Sequence, residues 1–258
     1  MLLAAILPPA AFAPTGLPTA FDLRSVNGSN ILGPVRNHHL PIGSSCASCW
    51  SVNTATVLAG RINLARARSG QPDISLQLSA QYLLNCVPGQ ERCGYPGSAG
   101  AALEHVVKHG MPSESCAPWQ NAKLPCDALH LCAARLHNQT FVAVPHPTLY
   151  RPSSVQKTAA SDVGGMQRAV LDGPIACGVH AEGLLDYERG VLIDPPSSGT
   201  KDDHSIAVVG WGEEGGVPYW IVQNNWGTEW GEGGFVRLKR GANLLGIEGG
   251  CHAPVVGL

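Results

Sequence analysis

The sequence predicts an α+β chain of two lobes, a helical one followed by an antiparallel, β-barrel-like one, with a cleft between them. Three observations predict it. Apolar residues recur at helical spacing in the first half only, most clearly from Cys49 to Arg68. From about Phe141 the apolar segments become short and β-branched and are separated by Gly-rich turns. The 31 Gly and 20 Pro imply many turns and short elements, which argues against a helical bundle. Helices followed by strands suit two packed layers of different type, and the groove between such layers is where a site belongs.

Taken in order, Leu17 to Pro41 reads as extended or irregular chain. Trp50, Val52, Thr54, Val57, Leu58, Ile62 and Leu64 then define a helix that runs without Pro to Arg68 and stops at Gly70-Gln71-Pro72. A second helix is expected over Ser79 to Asn85, with Ser79 as its cap. A third covers Ala99 to His109 and is closed by Gly110-Met111-Pro112. The strands expected are Phe141–Val144, Ile175–Val179, Ser205–Val209, Tyr219–Val222 and Phe235–Leu238.

Composition narrows the function classes. Charged residues are 14% of the chain and the formal net charge is −2, with no basic block, so nucleic-acid binding has no electrostatic footprint. No 18-residue apolar run follows the N-terminus, which argues against a membrane span. Nine cysteines in a loop-rich chain indicate an oxidising compartment, and their odd number leaves at least one unpaired. Asn27-Gly28-Ser29 and Asn138-Gln139-Thr140 are sequons, making Asn27 and Asn138 candidate N-glycan acceptors. Met1 to Ala13 is apolar, ends Ala11-Phe12-Ala13 and reads as a signal peptide, although it lacks an early Lys or Arg. These features together place the chain in the secretory pathway, in a lysosome or vacuole or outside the cell.

Chemistry concentrates around Cys46-Ala47-Ser48-Cys49-Trp50. Cys49 stands at the predicted start of the first long helix, where free backbone N–H groups and the macrodipole favour a thiolate. Three readings of Cys46-x-x-Cys49 compete. A redox pair calls for a preceding strand in a βαβ unit, and a zinc site calls for a second ligand pair at suitable spacing. The third reading pairs Cys46 with another cysteine and leaves Cys49 as a nucleophile. A nucleophilic thiol needs a base, and of ten histidines His204 has the telling context. It opens the apolar run Ser205–Val209, and Gln223-Asn224-Asn225-Trp226-Gly227 follows another apolar run. Asn224 would accept the imidazole N–H and fix its tautomer, while Trp226 would shield that hydrogen bond from water. His180, after Ile175–Val179, is the rival base.

Cys46-Ala-Ser-Cys-Trp50 resembles the Cys-Gly-Ser-Cys-Trp signature of the papain-like cysteine peptidases. His204 through Gly212, Asn224-Asn-Trp-Gly227, Gly173-Pro174-Ile175 and Trp230-Gly231-Glu232-Gly-Gly234 resemble further motifs of that family, in the family's order, from about Leu17 to Cys251. The resemblance implies one peptidase domain over 17–258, with a helical lobe over roughly 25–138 and a β lobe over roughly 139–240 plus the N-terminal segment. It implies acyl transfer by Cys49, His204 and Asn224 on peptide substrates, without metal or organic cofactor. Val35-Arg36-Asn37-His38-His39-Leu40-Pro41 is similar to the insertion of the cathepsin X branch, which narrows the cleft. There a histidine, here His39, holds the substrate's terminal carboxylate, so the implied partner is a peptide with a free C-terminus, cleaved by a monomeric carboxypeptidase. Trp226 would line the substrate site. The same branch implies Cys46–Cys93, Cys86–Cys126, Cys116–Cys132 and Cys177–Cys251, which leaves Cys49 unpaired.

The sequence departs from the family in four places. His38 stands where the family has the Gln that donates to the oxyanion; a ring N–H could donate there, but with a reach unlike that of a Gln amide. Ile42-Gly43-Ser44-Ser45 is longer than its counterpart, Ala47 replaces a Gly, and Gly94-Tyr95-Pro96-Gly97 replaces a Cys-x-Gly-Gly stretch on the substrate wall. Only Pro14-Thr15-Gly16 lies between the leader and Leu17, so on this reading an inhibitory propeptide has no room unless the sequence is incomplete. The rival functions are a papain-like endopeptidase and a weakly active homologue retained as a binding protein.

Overall fold

The computed structural model describes residues 16–42, 46–71, 75–89, 93, 97–195 and 202–257. The expected leader over 1–13, the extra loop residues 43–45 and the wall residues 94–96 lie outside the described residues.

The helices are α1 (Cys49–Arg68), α2 (Ala80–Cys86), α3 (Ala99–His109), α4 (Ala128–Leu131) and α5 (Val163–Leu171). The strands are β1 (Phe21–Asp22), β2 (Ala133–Arg135), β3 (Phe141–Ala143), β4 (Ser154–Lys157), β5 (Ile175–Val179), β6 (Val191–Leu192), β7 (His204–Glu214), β8 (Val217–Gln223), β9 (Phe235–Lys239) and β10 (His252–Val255). Each of the three early helices starts where its sequence signal stands. The Ser79 hydroxyl accepts from Tyr82 N–H at 2.9 Å to cap α2. Gly110 closes α3 at φ 73°, a conformation that favours glycine.

The large sheet has the order β4-β10-β5-β7-β8-β9-β6, with β1 also pairing with β7. It is α+β as expected, but the sheet is open rather than closed into a barrel, and β6 runs parallel to β9. The β7–β8 hairpin turns on Gly215-Gly216, both at positive φ, because a two-residue loop matching strand twist needs φ > 0 at both positions. The segment starting at Phe141, expected to open the strand-rich half, instead pairs with β2 in a separate two-stranded ribbon beside α4. Its side chains Phe141 and Val142 are exposed. Periodicity identifies a strand but not its partner, which depends on where the chain has been carried. β4, β6, α5 and β10 went unforeseen, being short or interrupted by Gly and Pro.

Two apolar cores meet at α1. Val57 and Leu64 pack into the core under the large sheet, with Ile206, Val208, Trp211 and Trp220. Trp50, Val52, Ala55 and Leu58 pack into the other, with α2 and α3. α1 is therefore apolar on opposite faces, which explains why its pattern lacks a single clean stripe. This central helix carries Cys49 at its first residue, and β7, buried from His204 to Gly212, carries His204 at its own first residue.

Candidate active site

Cys49 is the free cysteine, whereas Cys46 is bonded to Cys93. A redox or zinc role for the Cys46/Cys49 pair therefore finds Cys46 already committed. The remaining bonds are Cys86–Cys126, Cys116–Cys132 and Cys177–Cys251, the pairs implied by the resemblance. Ser48 precedes α1 but does not cap it. Its hydroxyl donates to Asn121 Oδ1 at 3.0 Å and to the Cys46 carbonyl at 3.2 Å, so it gives no cap to the first N–H groups of α1. Burial pushes the Cys49 thiol pKa up, and backbone hydrogen bonds at Ser205 and Trp50 pull it down.

His204 Nε2 lies 2.8 Å from Asn224 Oδ1. That Oδ1 also accepts the Asn225 N–H at 2.8 Å, which establishes it as the amide oxygen. His204 therefore carries its proton on Nε2 and keeps Nδ1 as the basic nitrogen. The Trp226 ring lies 4.9 Å from the imidazole and covers it. Burial lowers the His204 pKa to about 4, against the hydrogen bond to Asn224, while His38 adds a further lowering. Neither a lone thiolate nor a lone imidazolium is favoured in this pocket, so charge there is tolerable only as a pair.

Sequence reasoning missed the clamp that brings these groups together. Asn53, one turn beyond Cys49 on the same face of α1, donates to Ser205 Oγ at 2.8 Å and to the Ile206 carbonyl at 2.7 Å. It ties the head of α1 to the strand end holding His204. A buried Asn at i+4 from a candidate nucleophile was the available signal.

The loop Val35–Pro41 is stapled to the segment after β8 and to Trp119, between α3 and α4. His38 N–H donates to the Asn225 carbonyl at 2.9 Å, Gly227 N–H to the Arg36 carbonyl at 3.0 Å, and Trp119 Nε1–H to the Leu40 carbonyl at 2.8 Å. His38 is buried and His39 exposed, with their rings 3.9 Å apart. Burial lowers both pKa values, His38 to about 4 with His39 contributing, and Asn225 opposing. His38 Nδ1 faces two Asn225 oxygens, Oδ1 at 2.6 Å and the carbonyl at 3.0 Å.

Cys49 and His204 line two adjoining cavities. The larger, about 620 Å³, is also lined by His38, His39, Leu185, Trp226 and Trp230. The smaller, about 290 Å³, is bounded by Gly97, Lys157, Gly178, Asp202 and His252. Gly97 is required there by close approach, since a Cβ would fall 2.0 Å from the Trp50 indole nitrogen. His180 lines neither cavity, so the structure brings His204 and not its rival to Cys49. Asn27 and Asn138 are exposed and far along the chain from these residues.

A family model described as papain family cysteine protease matches residues 17–255. Cathepsin Z of Onchocerca volvulus is 33% identical over 225 residues, covering 86% of this chain and 70% of that protein. A cathepsin L-like proteinase of Phaedon cochleariae is 28% identical, covering 93% of this chain and 66% of that protein. Digestive procathepsin L2 from Tenebrio molitor superposes with a TM-score of 0.74 at 28% identity, over 93% of this chain and 68% of that one.

Proposed function

The chain belongs to the papain family of cysteine proteases, and on that premise we propose that it is a cysteine-type carboxypeptidase of the secretory pathway. The His204–Asn224 hydrogen bond, with His204 lining a cavity together with the free thiol at the head of α1, carries the catalytic part of this reading. Cys49 gives its proton to His204 Nδ1 and attacks the peptide carbonyl carbon, forming a C–S bond and an oxyanion beside the N–H groups of α1. As the C–N bond breaks, the His204 imidazolium protonates the departing amine. Water, deprotonated by His204, then attacks the thioester, releasing the new carboxylate and restoring the Cys49 sulfur. Asn224 holds the ring orientation throughout, and Trp226 keeps water from their hydrogen bond.

The exposed His39 ring in the larger cavity supports a preference for chain ends. An imidazole N–H there donates to a terminal carboxylate, and the stapled loop limits how far a longer chain can continue. The four disulfides fit an oxidising compartment, and exposed Asn27 and Asn138 are the glycan sites expected there. No helix among the described residues is long and apolar enough to cross a membrane.

Cleavage of one peptide series with free and amidated C-termini tests the reading. Release of single residues from the free form alone is expected, and equal internal cleavage of both would make the protein an endopeptidase. Labelling by an epoxide inhibitor of cysteine peptidases, absent in Cys49→Ala, tests the nucleophile. A folded wild type that takes no label would make it a binding protein.

A further inference from the structure

We propose that Asn225 is a positioning residue that locks His38 in the tautomer with its proton on Nδ1, so that this ring donates to substrate only when it is an imidazolium. The inference rests on the peptidase reading above and concerns how its oxyanion is stabilised.

The lock follows from the direction of each hydrogen bond. Asn225 Nδ2 donates to the Ser205 carbonyl at 2.8 Å, which can only accept. The amide orientation is thereby set, and Oδ1 is the atom 2.6 Å from His38 Nδ1. The second neighbour of Nδ1, the Asn225 carbonyl at 3.0 Å, is likewise an acceptor. A nitrogen between two acceptors must carry the proton. All three residues are buried, at 6% exposure for His38, 4% for Asn225 and 8% for Ser205, so water does not compete for these bonds. In the neutral ring Nε2 is then a lone pair, and it is the only nitrogen left to meet a substrate in the cavity that His38 lines with Cys49.

A lone pair repels a developing oxyanion. On this proposal neutral His38 does not replace a Gln amide donor, because its substrate-facing nitrogen carries no proton. A second proton on Nε2 converts the ring into a donor. Several titratable groups set when this happens. His39 lies on the same loop, while Cys49 at the head of α1, His204 at the start of β7 and Asp203 just before it line the same cavity. His39 opposes a charge on His38, and the His204 ring lies 5.8 Å away. The segment after β8 contributes the neutral Asn225 amide. Burial holds His38 neutral down to about pH 4. The oxyanion donor is accordingly complete in acid and absent near neutrality.

Two readouts test this. In protein labelled with ¹⁵N-histidine, long-range ¹H–¹⁵N spectra at pH 6, with His38 assigned by its loss in His38→Gln, should show a protonated Nδ1 and a bare Nε2. A protonated Nε2 there would overturn the proposal whether or not the protein cleaves peptides. Asn225→Ser keeps the backbone acceptor but removes Oδ1, and should raise the Nε2–H tautomer about fivefold, the effect of one ordinary hydrogen bond. For activity, His38→Gln should match wild type in kcat/KM near pH 4 and exceed it by about 10²-fold at pH 6 to 7, the worth of one oxyanion donor. A ratio independent of pH would overturn the proposal. If no variant cleaves peptide while the spectra show the Nδ1–H ring, the tautomer assignment stands and the peptidase reading is what fails.

Discussion

A histidine held neutral by burial makes the protein less stable in acid, and His38 allows the effect to be sized. When the chain unfolds, His38 titrates at the ordinary 6.5, whereas in the folded protein it stays neutral down to about 4. Between these values the unfolded state binds a proton that the folded state refuses, so stability falls as pH drops through this window. Above 6.5 both states are neutral and below about 4 both are charged, so the contribution is flat outside it. At about 1.4 kcal/mol per pH unit, the window corresponds to about 3 kcal/mol. That is a visible fraction of the roughly 5–15 kcal/mol typical of a folded domain. A glutamine side chain has no proton to gain, so His38→Gln should remove this slope and leave the slopes of all other groups in place. Urea unfolding of both proteins at pH 7.0, 5.5 and 4.0 measures it as a difference. The stability gap should move by about 3 kcal/mol in favour of His38→Gln between the extremes. A gap that does not change with pH would show that His38 is not held neutral by burial, and would refute the reasoning.

Other residues give simpler tests. Asn53→Ala removes two hydrogen bonds that join α1 to β7 and leaves Ser205 and Ile206 short of a donor. It should lower stability by about 2 kcal/mol and lower kcat more than it raises KM, read from urea melts and steady-state kinetics. Asn224→Ala leaves the buried His204 Nε2–H without an acceptor. Loss of the productive tautomer should lower kcat by about 10²-fold or more at unchanged KM, and wild-type kcat would remove Asn224 from the mechanism. Trp119→Phe deletes the hydrogen bond to the Leu40 carbonyl that steadies the loop of His39. The ratio of free-terminus to amidated peptide cleavage should fall severalfold, measured by product analysis, with little change in the rate of thiol labelling.

The three early helices were legible because each is written locally, as a cap, a periodic run and a Gly or Pro stop. The central strands were legible for the same reason, though not their partners. Phe141 to Ala143 has the composition of a sheet strand, yet it is folded onto β2 beyond the edge of the large sheet. β10 was hidden by a Pro and by its shortness, and it reaches the sheet only because the C-terminal segment returns between β4 and β5. Around the site, motif order singled out Cys49, His204, Asn224 and Trp226, since their chemistry depends on residue type. Asn53 and Ser205 escaped, because their role comes from facing each other across the interface between α1 and β7.

Residue types and local spacing were enough for the α+β class, while the resemblance of its motifs to a known family implied the cysteine pairing and the family itself. The same resemblance pointed to His38 as the candidate for the oxyanion position, since motif order along the chain carries that information. Which nitrogen of His38 bears the proton was beyond both. That depends on an amide 187 residues away, oriented in turn by a carbonyl of β7. Hydrogen-bond direction is set by what lies opposite an atom in space, and only the folded chain brings His38, Asn225 and Ser205 together.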